Sequence, residues 1–171
     1  MTLVLDSPLK VDPETSLEQL SYRLFHIDPT CAPAGKTAVT CFLPTPNFGY
    51  WTGLRQNDPD RYRAEKERVA EAAITILEPR IPGMRQAVEV IDVSTPATVI
   101  RYTGNWKGSM EGWLMTPGIG FGGLPQTLPG LDRFLRIGQW AQPGGGLPGG
   151  LMTARAALKT ICHRTHVPFA G

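Results

Sequence analysis

The residues with the clearest chemical potential are the glycines before the last predicted helix. The segment Gly144–Gly149 reads G-G-G-L-P-G and matches the spacing G-x-G-x-x-G. A strand predicted over Phe134–Gly138 precedes it and a helix predicted over Leu151–His163 follows, as a cofactor-binding turn requires. The N–H groups at the start of such a helix attract an anion or a hydrogen-bond acceptor. A glycine-rich helix start without any ligand is the alternative.

This glycine motif does not open a dinucleotide-binding fold. Such a fold needs an acidic residue about 20 residues further on, after the next strand, and no Asp or Glu follows Gly150. The motif could instead belong to the closing unit of such a fold. A second match, Gly118–Gly123, lies between Pro117 and Pro125. Because a helix does not start easily there, we interpret it as a tight coil.

The other residues that could act in catalysis or bind a metal do not form a recognisable site in the sequence. Glu111 and Asp132 are the only carboxylic acids between Gly104 and Gly150, so no paired carboxylates occur there and the catalytic residues are unknown. His163 and His166 could share a metal with Cys162, but a solvated helix end that favours protonated histidine explains them better. We therefore predict no metal site.

The predicted elements combine strands and helices. Alternating and β-branched residues predict a hairpin of Ser21–Asp28 with Lys36–Leu43, and a third strand over Gln86–Val93. A shorter possible strand covers Thr2–Leu5. The sequence Asp58-Pro59-Asp60 predicts the start of a long helix that ends near Glu78.

A second helix start is predicted at Thr95-Pro96, where the threonine would cap a short helix over Ala97–Tyr102. The fold class predicted from all these elements is mixed α+β. It comprises a small antiparallel-rich sheet with one long helix, followed by a terminal strand, glycine turn and helix.

The amino-acid composition excludes some classes of function for this chain. The chain has 171 residues, a net charge of +2 and 42% apolar residues, which suits an ordered protein and gives no electrostatic reason to expect nucleic acid. Three cysteines without a C-x-x-C pair, and the lack of a basic leader or an apolar run of bilayer length, predict a cytoplasmic protein. Peripheral contact with a membrane stays open.

Glycine is concentrated late in the chain. Fourteen of the 19 glycines lie between Gly104 and Gly150, in a window with three tryptophans and few charged residues. Flexible linkers favour serine and charge instead. We therefore expect ordered backbone that approaches a partner surface closely.

Three segments resemble one enzyme family. Arg136–Ala157, R-I-G-Q-W-A-Q-P-G-G-G-L-P-G-G-L-M-T-A-R-A-A, resembles the C-terminal flavin motif of the phytoene desaturase and carotenoid isomerase-like FAD oxidoreductases. Thr95–Trp113 is similar to a segment shortly upstream of that motif in the family. The predicted hairpin, R-L-F-H-I-D-P-T-C-A-P-A-G-K-T, resembles strands of the family's substrate-binding domain.

The resemblance implies a site for FAD. Gly138, Gln139 and Trp140 would approach the ribityl and pyrophosphate region, whereas Gly145, Gly146, Leu147 and Pro148 would approach the flavin ring. Helix N–H groups aimed at the ring would favour the negative charge of a reduced flavin. Related flavoenzymes often have an acidic residue where this chain has Gln139, whose neutral amide can still hydrogen-bond ribityl hydroxyls.

The resemblance also implies that two parts of the chain have different functions. Residues 1–130 would form a substrate-binding-type region, and residues 131–171 would be the closing segment of an FAD domain whose N-terminal nucleotide-binding unit has no counterpart here. The chain would then be a C-terminal part of an oxidoreductase or isomerase for a polyene, inactive alone and unable to retain FAD. The alternatives are a standalone module that binds an apolar ligand, or a subunit that self-associates or complements a separately encoded N-terminal half.

Overall fold

A computed structural model describes residues 1–113, 118 and 124–170. They fall into two compact units, Met1–Gly108 and Ser109–Gly171. The predicted boundary near residue 130 separates functions rather than packing units, and it stays a prediction. Of the motif Gly118–Gly123, all but its first glycine lies outside the described residues.

The first unit contains a three-stranded antiparallel sheet. Its strands are β1 (Thr2–Lys10), β2 (Ser16–Leu24) and β3 (Val39–Phe42), in the order β1-β2-β3. Strands β2 and β3 pair from Ser21 with Phe42 to Leu24 with Val39, so the predicted hairpin is confirmed.

The turn between β1 and β2 is fixed by Asp12, which is 1% exposed. Its carboxylate accepts hydrogen bonds from the backbone N–H groups of Glu14 and Thr15, at 3.0 and 2.9 Å. The hydroxyl of Thr45 and the amide of Asn47 also donate to it. A buried carboxylate with four donors ties this turn to the chain that leads into the first helix.

Four helices complete the first unit: α1 (Phe48–Asn57), α2 (Pro59–Leu77), α3 (Met84–Ala87) and α4 (Pro96–Thr103). The predicted starts of α2 and α4 are confirmed. The Asp58 side chain accepts from the Arg61 N–H at 3.1 Å, and Thr95 forms a reciprocal capping box with Thr98. Helix α1 was not predicted, although Asn47 caps it.

Two apolar clusters hold these elements together. Val11, Trp51, Val69 and Ala97 form one cluster. Leu20, Tyr22 and Leu77 form the other, and both leucines in it are fully buried. The sheet and α2 therefore share a core, as expected for an amphipathic helix packed on one face of a sheet. The mixed α+β class is confirmed.

The strand predicted over Gln86–Val93 is wrong. Glu78 accepts hydrogen bonds from the backbone N–H groups of Gly83 and Arg85, at 2.8 and 2.7 Å, and so fixes the helical turn α3. Residues 88–95 have no regular structure. Ion pairs of Lys36 with Glu89 and of Lys66 with Asp92 hold this segment to the unit instead of a β-ladder.

The second unit is built around α5 (Gly146–Thr165) and a 3-10 turn, Gln139–Ala141. The predicted last helix is confirmed and begins five residues earlier than expected. The strand predicted over Phe134–Gly138 is wrong, because among the described residues no strand pairs with it. The Arg136 N–H makes a single ladder-like bond, 2.7 Å to the Gln126 carbonyl.

Helix α5 buries its small side chains and exposes its large ones. Gly149, Thr153 and Ala157 are buried. Four large apolar residues follow the spacing of one helix face and are exposed, and we name them the α5 stripe: Leu147, Leu151, Leu158 and Ile161. They are 87%, 73%, 52% and 44% exposed.

Candidate functional site

Three consecutive glycines in the left-handed region form the entrance to α5. Gly144, Gly145 and Gly146 have φ values of +81°, +57° and +66°. L-residues adopt this region at a cost of about 1–2 kcal/mol each, and glycine adopts it freely. The glycine run is therefore required by the backbone path itself, whether or not a ligand binds.

One side of this turn is closed by the chain around Gly112. A Cβ atom added to Gly145 would lie 2.5 Å from the Gly112 backbone and 2.9 Å from the Gln139 carbonyl oxygen. In the same region the Gly144 N–H donates to the Trp113 carbonyl at 3.1 Å. Within the glycine-rich segment Gly104–Gly150, the backbone at Gly112 and the backbone at Gly145 thus approach each other closely.

The start of α5 keeps hydrogen-bond donors available. No side chain of the described residues caps the helix at Gly145. The Gly149 N–H bonds to the Gly145 carbonyl at 3.1 Å, and Pro148 has no N–H. The N–H groups of Gly146 and Leu147 are the donors that the helix itself does not use. Beside them Leu147 presents an exposed apolar side chain.

A carboxylate lies next to these donors, which the sequence did not indicate. A Cβ atom on Gly146 would lie 2.6 Å from Oε2 of Glu111. A negative charge at the start of a helix is stabilised by the helix dipole, by about 0.3–1 kcal/mol at an exposed site. Glu111 therefore stabilises this turn and would repel an anion there.

The segment Gly138–Trp140 is joined to α5 through Thr153. The Gly138 N–H donates to Oγ1 of Thr153 at 3.0 Å, and this buried hydroxyl lies 2.8 Å from the Gly149 carbonyl oxygen. Gln139 is half-buried and Trp140 is 39% exposed. The structure thus brings the two groups of predicted site residues together. Their roles toward a cofactor stay predictions.

The residues considered for a metal are not arranged as a site. His163 is exposed, and His166 ends α5 in a left-handed conformation with φ of +54°. In the described part of the chain no group of three His, Cys, Asp or Glu side chains could hold a metal ion. All three cysteines are free thiols.

Comparison with known proteins gives two similar enzymes. The chain is 29% identical over 122 residues to the chloroplastic prolycopene isomerase of Daucus carota, which covers 71% of the chain and 19% of that enzyme. It is 26% identical over 144 residues to the neurosporene-forming phytoene desaturase of Cereibacter sphaeroides, which covers 77% of the chain and 24% of that enzyme. The resemblance to phytoene desaturases and carotenoid isomerases is confirmed.

The chain spans about a fifth to a quarter of the length of these relatives. No protein-family model matches it, and no solved structure matches it. None of the helices that the structure describes has the length and hydropathy of a bilayer-spanning segment.

Proposed function

We propose that this chain is the substrate-binding and flavin-closing part of an FAD-dependent oxidoreductase or isomerase that acts on a polyene. The observation that carries the proposal is the uncapped start of α5, next to the turn that contains Gln139 and Trp140. The similarity to a prolycopene isomerase and a phytoene desaturase supports the substrate class. In this proposal the chain corresponds to a C-terminal portion and is inactive alone.

The residues at the start of α5 fit one end of a flavin. The N–H groups of Gly146 and Leu147 suit the carbonyl and nitrogen acceptors of its ring, and the helix dipole suits negative charge on it. Leu147 and Trp140 offer apolar surface, and the Gln139 amide can bond hydroxyl groups. When bound, FAD would supply the redox chemistry, and these residues would bind and orient it. The Glu111 carboxylate is the feature that fits least well.

The chain alone supplies few contacts for the rest of FAD. Its donors form one helix end, whereas tight binding of a dinucleotide also needs a unit that holds the pyrophosphate and ribose. We therefore expect protein purified from cells and dialysed to contain no bound flavin. Absorbance near the flavin bands with a stoichiometric amount of cofactor would contradict this expectation.

The contact with flavin itself is tested in a complex with a nucleotide-binding half from a related enzyme. Leu147 is 87% exposed, so Leu147→Ser should leave the melting temperature of the chain unchanged but weaken flavin binding by the complex. Val90→Ser, at an apolar residue of the first unit that is also 87% exposed, is the matched control and should leave flavin binding unchanged. Equal flavin affinity in both variants would remove the start of α5 from the site.

A second candidate function is that of a complementing or self-associating subunit, and the α5 stripe favours it. Four large apolar residues on one helix face are unusual on the surface of a monomer and often mark an interface. We expect concentration-dependent association in light scattering, reduced by Leu151→Lys. A monomer at all concentrations that binds an apolar probe would instead favour a standalone binding module.

Peripheral membrane contact of a cytoplasmic protein is a further part of the proposal. Tyr102 and Trp106 are each 74% exposed, and the Lys107 ammonium lies 4.4 Å from the Trp106 ring centroid. Aromatic and basic side chains together favour the membrane–water interface. Co-sedimentation with anionic vesicles should therefore decrease on Trp106→Ala. Unchanged co-sedimentation would count against this surface.

A further inference from the structure

A groove in the second unit lies outside the proposed flavin contacts. Its volume is about 650 Å³, which is in the range of small-molecule sites. Most of its lining is apolar, and three leucines provide much of it: Leu124, Leu128 and Leu131. Leu128 and Leu131 remain 36% and 50% exposed. The groove therefore has an apolar surface that a ligand chain could cover.

Two arginines line the same groove. Nη2 of Arg136 donates to the Pro125 carbonyl and Nη1 of Arg164 donates to the Asp132 carbonyl, each at 2.5 Å. These carbonyls are neutral and fix the two guanidinium groups in place. Each guanidinium carries five N–H donors, so further donors remain for a ligand.

Neither arginine forms an ion pair with a carboxylate in the part of the chain that the structure describes. Among the described residues, carboxylates pair with five other basic side chains: Lys36, Arg63, Lys66, Arg68 and Arg85. Of the described residues that line the groove, Asp132 is the one acid, so these residues carry one more positive charge than negative charges.

The guanidinium of Arg136 is also partly desolvated. Its Nε is closed off from solvent and has no hydrogen-bond acceptor among the residues that the structure describes. Nε itself is therefore inaccessible to a ligand, but attraction of the charged group to an anion is stronger where water is excluded. A carboxylate can accept from guanidinium nitrogens in a bidentate manner.

We infer that this groove binds an apolar chain that ends in a carboxylate. The leucines contact the chain, and Arg136 and Arg164 bind the carboxylate. This binding requires no flavin, so it can fail or succeed independently of the proposed function. Inorganic anions share the charge but not the chain, and neutral alcohols share the chain but not the charge.

The test is calorimetric titration of the 171-residue chain with dodecanoate, kept below micelle-forming concentrations. Dodecanoate should bind at least about tenfold more tightly than dodecanol, since a hydrogen bond to a charged group contributes that much or more. Acetate and phosphate at the same concentration should not displace it. Equal binding of acid and alcohol, or displacement by phosphate, would overturn the inference.

Variants localise the site. Arg164→Gln should weaken dodecanoate binding by about tenfold, whereas Arg133→Gln should leave it unchanged. Both residues are exposed and both changes remove one positive charge, but Arg133 does not line the groove. Arg136→Gln should weaken binding at least as much, with circular dichroism to verify folding. An equal effect of Arg133→Gln and Arg164→Gln would show that only net charge matters and would refute the site.

Discussion

Replacement of Gly146 by alanine tests the physical basis of the α5 entrance. With φ of +66°, the alanine would occupy the left-handed region at a cost of about 1–2 kcal/mol. Its Cβ would also lie 2.6 Å from Oε2 of Glu111, so that carboxylate must move. Moving it away from the helix start loses about 0.3–1 kcal/mol. Part of this is offset, since alanine restricts the unfolded chain by about 0.4–1 kcal/mol more than glycine.

The expected net loss is therefore about 1–2 kcal/mol, which lowers the melting temperature of a chain of this size by roughly 2–8 °C. Gly150→Ala is the matched control in the same helix, because its added Cβ meets no atom within 4 Å and its φ is not left-handed. That change should raise the melting temperature, by about 1–4 °C, through helix propensity.

The assay is thermal melting followed by circular dichroism at neutral pH. A double-mutant cycle with Glu111→Gln isolates the charge–dipole part of the loss, since Gly146→Ala should cost less when residue 111 is already uncharged. If Gly146→Ala melts at or above the temperature of the unmodified chain, as Gly150→Ala should, the left-handed turn is not required and the reasoning fails.

Three further changes test the first unit and the glycine contact. Asp58→Ala removes the cap of α2 and should lower the free energy of unfolding by about 0.5–2 kcal/mol in urea titrations, whereas Asp58→Asn should nearly preserve it. Burial raises the pKa of the Asp12 carboxyl. The hydrogen bonds that it accepts, of which the one from Thr45 contributes most, lower the pKa by a larger amount, so the pKa lies below its usual value. The ionised Asp12 carboxylate therefore stabilises the fold fully above its unfolded-state pKa, and this stabilisation is lost as the pH falls through the lower folded-state pKa. Because asparagine does not ionise, the melting temperature of Asp12→Asn should decrease less steeply toward acid pH than that of the unmodified chain. Gly112→Ala places a Cβ 2.6 Å from the Gly145 backbone nitrogen and should therefore destabilise the chain. Gly53→Ala is the control, because its Cβ meets no atom within 4 Å, and it should destabilise the chain much less. Equal effects of the two changes would argue against the close contact of Gly112 with Gly145.

Local rules predicted the starts of α2 and α4 correctly because a cap involves only neighbouring residues. Asp58 and Thr95 bond to N–H groups three positions along the chain, so the sequence alone contains the whole interaction. The hairpin of β2 with β3 was also indicated locally, by turn residues between an alternating segment and a β-branched segment. The mixed fold class followed from these elements.

Two predicted strands failed because alternation shows only that a segment can be extended, not that a partner strand exists. Gln86–Val93 has the alternation, yet Glu78 fixes its first residues in a helical turn. Phe134–Gly138 finds no ladder among the described residues. In the candidate site, the glycine motif was visible in the sequence, but the approach of Glu111 to Gly146 joins residues 35 positions apart. No local pattern encodes such a contact.

The outward stripe of α5 has a consequence for how the helix opens and closes. The residues that α5 buries are only Gly149, Thr153 and Ala157. Transient unfolding of the helix therefore exposes little additional apolar surface to water. Amide protons of α5 should therefore exchange with solvent sooner than those of α2, which buries Val69, Ile74 and Leu77. A molecule that covers the stripe need not change the shape of α5 to be detected. It would slow exchange of the amides in the part of the helix that it covers, so the length of the protected segment would measure how much of the α5 stripe is in contact.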